Sequence, residues 1–323
     1  MAYSLENPLD YSGDDGKPLV ALFAAEADHD AAISDEPTVS VRRDAVARIR
    51  KAAEPPCSVG PSTAYLAVTY LDRFLTKRVT QVDEEQYAPR LASFMLPRTD
   101  PSFALFLFQV KKPWFAVFLS LTCLSLASKM LDHGFSVDEF QATQPFQFMP
   151  ETIERMQLLV LETLGWRMRS ITPFAFLDYF LSSFPSTDPR QVQDLKDRAS
   201  KTLFQAQTEE ILLGFKPSVI AASALHSAAF DLFPAQFPDF ESVVSSSLGL
   251  DPERIRVCQE LLRKVNTNRC DSAAAAAAAK NVASGSGTPL AAMEHGGEGD
   301  TIRGSGSDGR DDKKATIQIV PTI

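Results

Sequence analysis

The run Pro61–Thr76, PSTAYLAVTYLDRFLT, reads as a helix that carries an acid on its apolar face. At helical spacing Tyr65, Val68, Asp72 and Leu75 share one stripe, which turns Asp72 toward the interior. A carboxylate in that position is costly unless a cation meets it. The fold therefore has to bring a basic side chain to the buried side of this helix.

Helical patterning runs from about Val39 to about Val265, and no segment reads as a convincing strand. The periodicity predicts a first set of helices over roughly 39–53, 60–77, 113–131, 136–142 and 150–165. A second set follows over roughly 172–183, 188–206, 216–232, 237–247 and 251–265. Pro61 suits a first turn, Ser136-Val-Asp-Glu139 is a capping box, and Thr172-Pro173 and Asp251-Pro252 pair a cap residue with proline. In each set the third helix is apolar and rich in small residues: LSLTCLSLAS in the first, SVIAASALHSAAF in the second. A helix apolar nearly all round belongs at the centre of its bundle. The expected fold is thus all-α, two tandem five-helix bundles over 38–168 and 169–267. Residues 1–37 are acidic and weakly periodic, which suggests a flexible arm. Residues 268–323, with the seven alanines Ala273–Ala279 and the Gly/Ser runs after them, have too little apolar surface to offset ordering entropy and are read as a disordered tail.

A net charge of −9 argues against a protein that binds nucleic acid through its whole surface. Cys57, Cys123, Cys258 and Cys270 are far apart, with no CxxC pair, and read as free thiols in a reducing compartment. The N-terminus has neither the basic start nor the apolar core of a signal peptide. Pro113–Ser128 carries no charge, yet it falls short of the ~20 apolar residues a membrane span needs and reads as a buried helix. His29, His133, His226 and His295 have no metal spacing, and His226, on an Ala-rich helix, reads as a core residue. No Walker loop, GxGxxG or GxSxG occurs, so an enzyme, a metal and a cofactor are not expected.

Several segments in order resemble one family. They are VRRDAVARI (Val41–Ile49), AYLAVTYLDRFL, LTCLSLASKM, ERMQLLVLETLGWRMRSIT (Glu154–Thr172) with PFAFLDYF after it, and GFKPSVIAASALHSA in the second bundle. Together with LENPL near the N-terminus they are similar to the plant D-type cyclins, above all their divergent sixth subgroup. The resemblance implies the duplicated cyclin fold and a regulatory subunit that binds and activates a cyclin-dependent kinase. It also implies promotion of cell-cycle entry and the G1/S transition, and residence in the nucleus, alone or with a cytoplasmic share. In that family an arginine of the first helix pairs with the aspartate of LDRFL, which implies Arg42, with Arg43 beside it, as the structural partner of Asp72. A lysine ending the third helix and a glutamate of the fifth contact the kinase's mobile regulatory helix, which implies a contact role for Lys129.

The chain departs from the family at instructive places. The glutamate's position is Gln157, with Glu154 one turn earlier as a partial substitute, so kinase binding is expected to lack its charge-assisted share. Restoring the acid there, Gln157→Glu, is expected to strengthen binding. Arg48 stands where many cyclins place the tryptophan that floors a substrate-docking groove, and such a groove should hold apolar anchors poorly. No Leu-x-Cys-x-Glu motif occurs, so docking to retinoblastoma-like pocket proteins by that route is not expected. Residues 82–112 form an atypically long connection, either a lineage-specific loop or coding sequence wrongly kept in the gene prediction. Gln157 also leaves room for an alternative, a cyclin-fold adaptor or transcription-related protein that activates no kinase.

Overall fold

The computed structural model describes residues 22–24, 26, 33, 36–80, 113–131, 134–182, 184, 188–245 and 250–265. The long connection over 82–112 and the tail from 266 lie outside the described residues. The first bundle comprises α1 (Glu36–Lys51), α2 (Pro61–Thr80), α3 (Pro113–Met130), α4 (Val137–Ala142) and α5 (Pro150–Thr163). The second comprises α6 (Phe174–Leu181), α7 (Pro189–Ala206), a short 3-10 turn (Glu210–Gly214), α8 (Pro217–Leu232), α9 (Phe237–Ser245) and α10 over 252–265. No β-strand occurs among the described residues. The all-α expectation and both sets of helices hold.

Each bundle is built around its third helix. Trp114–Ser128 of α3 and Pro217–Ala229 of α8 are buried without a break. By length and composition α3 could cross a membrane, but here its apolar surface is spent on α1, α2 and α5 packed around it. The hydroxyls on this helix do not go unpaired: Ser120 Oγ donates to the Val117 carbonyl and Thr122 Oγ1 to the Phe118 carbonyl, both at 2.8 Å. One hydrophobic core runs from Val41 to Met168, and a second from Ala175 to Leu262. Side chains cross between them: Tyr65 of α2 packs on the second core, and Phe204 of α7 on the first.

Local signals account for most helix starts. Ser136 Oγ accepts from the Glu139 N–H at 3.2 Å, and Asp251 Oδ1 from the Glu253 N–H at 3.0 Å. Asp188, unremarked in the sequence, caps α7 by accepting from the Arg190 N–H at 2.9 Å. Thr172 does not act as the side-chain cap that its sequence context suggested. Pro173 already has helical dihedrals, so the Thr172 carbonyl closes the first turn of α6 by accepting from the Ala175 N–H.

The described part of the segment 1–37 corrects the expectation of a free arm at two places. First, α1 begins at Glu36. Second, a short piece docks on the second bundle. Leu22 enters the second core, the Phe23 ring lies 5.4 Å from that of Phe176, and Glu26 is buried at the start of α8. Its carboxylate accepts from the Ser218 N–H at 3.0 Å and from Ser218 Oγ at 2.9 Å. The physical reason lies in the helix end, where the first N–H groups lack intrahelical partners and the dipole favours an anion.

Candidate functional site

Two polar constellations sit on these helices, one buried between the bundles and one at the surface. The buried one is Arg42 with Asp72. On α1 the residues Val41, Arg42, Ala45, Val46 and Ile49 form the inward stripe, so Arg42 points into the fold. Its Nε donates to Asp72 Oδ1 at 2.7 Å and its Nη2 to Asp72 Oδ2 at 3.1 Å, a two-pronged pair with Arg42 only 2% exposed. The guanidinium reaches further, donating through Nη2 to the Gln207 carbonyl at 3.1 Å and through Nη1 to the Thr208 carbonyl at 3.4 Å. These carbonyls end α7, so one arginine ties α1 and α2 of the first bundle to the second.

Burial pushes the Asp72 carboxyl up, against the pull of Arg42. Burial also opposes the charge on Arg42, yet Asp72 holds the guanidinium above its ordinary value. Arginine does not give up its proton, so the guanidinium stays charged at neutral pH. Arg43 is not part of the pair, contrary to its grouping with Asp72 in the sequence reading. One residue along the helix it turns outward, and its Nη2 lies 3.6 Å from Glu210 Oε1 at the surface.

The surface constellation joins the end of α3 to the middle of α5. Lys129 Nζ donates to Gln157 Oε1 at 3.0 Å, and Gln157 Nε2 donates to Ser125 Oγ at 3.0 Å. An ammonium only donates, so the amide oxygen must face Lys129 and its nitrogen must face Ser125. The amide of Gln157 is buried while Lys129 is exposed. Lys129 and Gln157, singled out separately in the sequence, are thus brought together on one face. Glu154 lies one turn earlier on α5, exposed, and makes no ion pair among the described residues.

Two exposed apolar side chains, one on α5 and one just past its end, were missed. Leu158, beside Gln157 on α5, is 41% exposed. Trp166 is 62% exposed and follows the helix in the left-handed region, with φ +60° after Gly165 at φ +60°. Its N–H closes the helix end by donating to the Leu161 carbonyl at 2.8 Å. A bulky residue with positive φ is rare and costs energy, so the turn holds this indole outward at some expense. A tryptophan beside apolar periodicity reads as core, and the only available signal was the Leu-Gly helix stop before it.

Other candidates fall into place as structure. Arg48 is half-buried and donates through Nη1 to Gln144 Oε1 at 2.6 Å, so a polar pair occupies the position of the aromatic floor. His226 is buried edge-on to Phe237 and Phe240, and burial lowers it to about 4. Cys57, Cys123 and Cys258 are free thiols, and burial pushes Cys258 up to about 11. Among the described residues no group of three or more His, Cys, Asp or Glu could hold a metal ion.

Comparison with known proteins adds the decisive observation. The family description "Cyclin, C-terminal domain" matches residues 171–285. Cyclin-D6-1 of Oryza sativa subsp. japonica is 33% identical over 80% of this chain and 73% of its own length. The chain belongs to the plant D-type cyclins. A putative cyclin-D6-1 of Arabidopsis thaliana is 35% identical over 63% of the chain and 59% of that relative. The cyclin spans about half the length of several other D-type relatives, such as Cyclin-D3-3 of Arabidopsis thaliana at 48%. A chain in the CAK complex of Chaetomium thermophilum bound to ATP-gamma-S is similar at 17% identity and a TM-score of 0.47, covering 78% of this cyclin and 76% of that chain. Two relatives carrying the name of the sixth subgroup agree with the subgroup read from the motifs. Family membership makes the protein a cyclin-type regulatory subunit.

Proposed function

We propose that this cyclin binds a cyclin-dependent kinase through the face formed by Lys129, Gln157, Leu158 and Trp166. On this reading it stabilises the kinase conformation in which the regulatory helix is swung inward. A binding partner shifts such an equilibrium only by its differential affinity for the two conformations. With the helix inward, the kinase's lysine–glutamate pair forms and its activation segment is positioned, and the chemistry stays with the kinase. Activation of this kind, acting in the nucleus, would promote cell-cycle entry and the G1/S transition.

The observation that carries the reading is the coupled Lys129–Gln157–Ser125 chain, with the exposed Leu158 next to Gln157 on α5. An exposed leucine next to oriented polar groups, with an exposed tryptophan past the end of the same helix, supplies the apolar anchors of a docking face, where a few such residues dominate affinity. The test is co-precipitation with a plant cyclin-dependent kinase followed by a phosphorylation assay. Trp166→Ala is expected to cost about 2 kcal/mol of binding, roughly 30-fold in Kd, without lowering the melting temperature. The replacement of the family glutamate by Gln157 favours the adaptor alternative. Wild-type protein that neither associates with nor stimulates a kinase would decide for it.

A further inference from the structure

We propose that a cavity at the joint between the bundles binds a small neutral group, a primary carboxamide on a short apolar stem. The cavity has a volume of about 40 Å³ and opens partly to solvent. Val68 of α2, Leu212 and Leu213 of the 3-10 turn and Ile220 of α8 give it apolar walls. Arg42, Asp72 and Gln207, the last just past the end of α7, add the polar part of the lining. Gln207 is only 5% exposed, and neither Nε2 nor Oε1 of its side chain has a hydrogen-bond partner among the described residues.

An amide buried without partners is costly, because its donors and its acceptor have all given up water. The backbone of the same residue is already committed, its carbonyl accepting from Arg42 Nη2 at 3.1 Å. A second amide satisfies both ends of the side chain at once: its carbonyl accepts from Nε2 and its N–H donates to Oε1. A carboxylate or a ketone brings acceptors alone and leaves Oε1 bare, and an ammonium brings donors alone and leaves Nε2 bare.

The electrostatics of the lining also select a neutral occupant. An anion finds Arg42 already paired with Asp72 at 2.7 Å and meets the carboxylates of Asp72 and Glu209. Tyr65, on the same wall as Val68, adds no charge, since burial and then Asp72 push its phenol up. Water alone can meet the amide but gains nothing from the apolar walls, whereas an apolar stem covers them. The occupant touches α2, the 3-10 turn and α8 together, beside the guanidinium that ties the two bundles. Occupancy therefore tightens the joint.

The experiment titrates the full-length cyclin with propionamide, using propionate and butanone as controls of matching shape. The readout is the pair of side-chain N–H signals of Gln207 in isotope-labelled protein, identified by their loss in Gln207→Leu. Propionamide is expected to shift them saturably, with a Kd on the order of 10 mM for so small a ligand. Each control is expected to bind about tenfold more weakly or not at all. Propionamide should raise the melting temperature of the wild type and leave that of Gln207→Leu unchanged. Leu213→Trp, which fills the cavity from a half-buried position, should abolish the shift while the Gln207 signals remain. The three ligands on wild-type protein decide the matter even where a variant fails to fold. No shift with propionamide, equal affinity for propionate or butanone, or unchanged binding in Leu213→Trp overturns the assignment. A crystal soaked in propionamide that shows only water beside Gln207 overturns it too.

Discussion

Removing the Asp72 carboxylate should loosen the joint between the bundles as well as the first bundle itself. In Asp72→Ala the guanidinium of Arg42 loses two charge-assisted bonds, at 2.7 and 3.1 Å, and its counter-ion. It keeps the Gln207 and Thr208 carbonyls, at 3.1 and 3.4 Å, so it is not wholly abandoned. Breaking a buried pair from one side costs about 3–5 kcal/mol, and the retained carbonyl bonds put this case near 3. That is a large part of the ~5–15 kcal/mol that holds a typical domain folded. For the two bundles melting together as one unit of roughly 200 residues it corresponds to a drop of about 6–12 °C in Tm. Urea and thermal melts followed by circular dichroism would measure it. The pair Arg42→Met with Asp72→Leu, which removes both charges, should cost less than Asp72→Ala alone, because no charge is stranded. Asp72→Ala melting within ~1 kcal/mol of wild type would refute the reasoning, since a stranded buried guanidinium cannot be that cheap.

Two other perturbations probe the second bundle. Burial holds His226 near about 4 in the fold, whereas the unfolded chain takes up its proton near the model-peptide value of about 6.5. The depressed group therefore contributes stability that is present above that value and lost as pH falls; from about pH 7 to about pH 5 the loss is about 2 kcal/mol. His226→Leu should flatten that acid dependence, and an unaltered slope between the two proteins in pH-dependent melts would count against a neutral buried imidazole. Glu26→Ala leaves the first N–H of Ser218 and its hydroxyl without an acceptor, and should cost about 1–2 kcal/mol. Hydrogen exchange should show faster amides at the start of α8, and unchanged exchange there would mean the docked segment carries no stability.

Much of this was legible because it follows from local rules. Asp72 announced its burial by lying on an apolar stripe, and the stripe of Val41, Ala45, Val46 and Ile49 picks Arg42 over Arg43 as the residue facing it. The central helices were legible from their lack of a polar face. What escaped the sequence was set by contacts far apart in the chain. Nothing in Leu22, Phe23 and Glu26 marks them as an anchor until Ser218 and Phe176 are beside them, because acidic, proline-containing composition reads as an arm. The carbonyls of Gln207 and Thr208 are backbone groups without a side-chain signature. Trp166 escaped because exposure of an indole depends on one left-handed turn rather than on hydrophobic period.

The turn that presents Trp166 is itself held from below by α2. At spacings of three and four residues, Tyr70, Arg73 and Lys77 form one row facing the end of α5. Tyr70 Oη donates to the Met168 carbonyl at 2.6 Å, Arg73 Nη1 to the Arg167 carbonyl at 2.7 Å, and Lys77 Nζ to the Thr163 carbonyl at 3.1 Å. The last of these satisfies a carbonyl that the end of a helix would leave unpaired. The same helix, through Asp72, grips Arg42 and the second bundle. So α2 braces the proposed docking face on one side and the inter-bundle joint on another. A subunit that works by selecting one conformation of its partner gains from such bracing, because a face ordered before binding loses less entropy when it binds. The order of the proposed docking face is therefore built into the first bundle's core, and rests on the helix whose buried acid constrained the fold from the start.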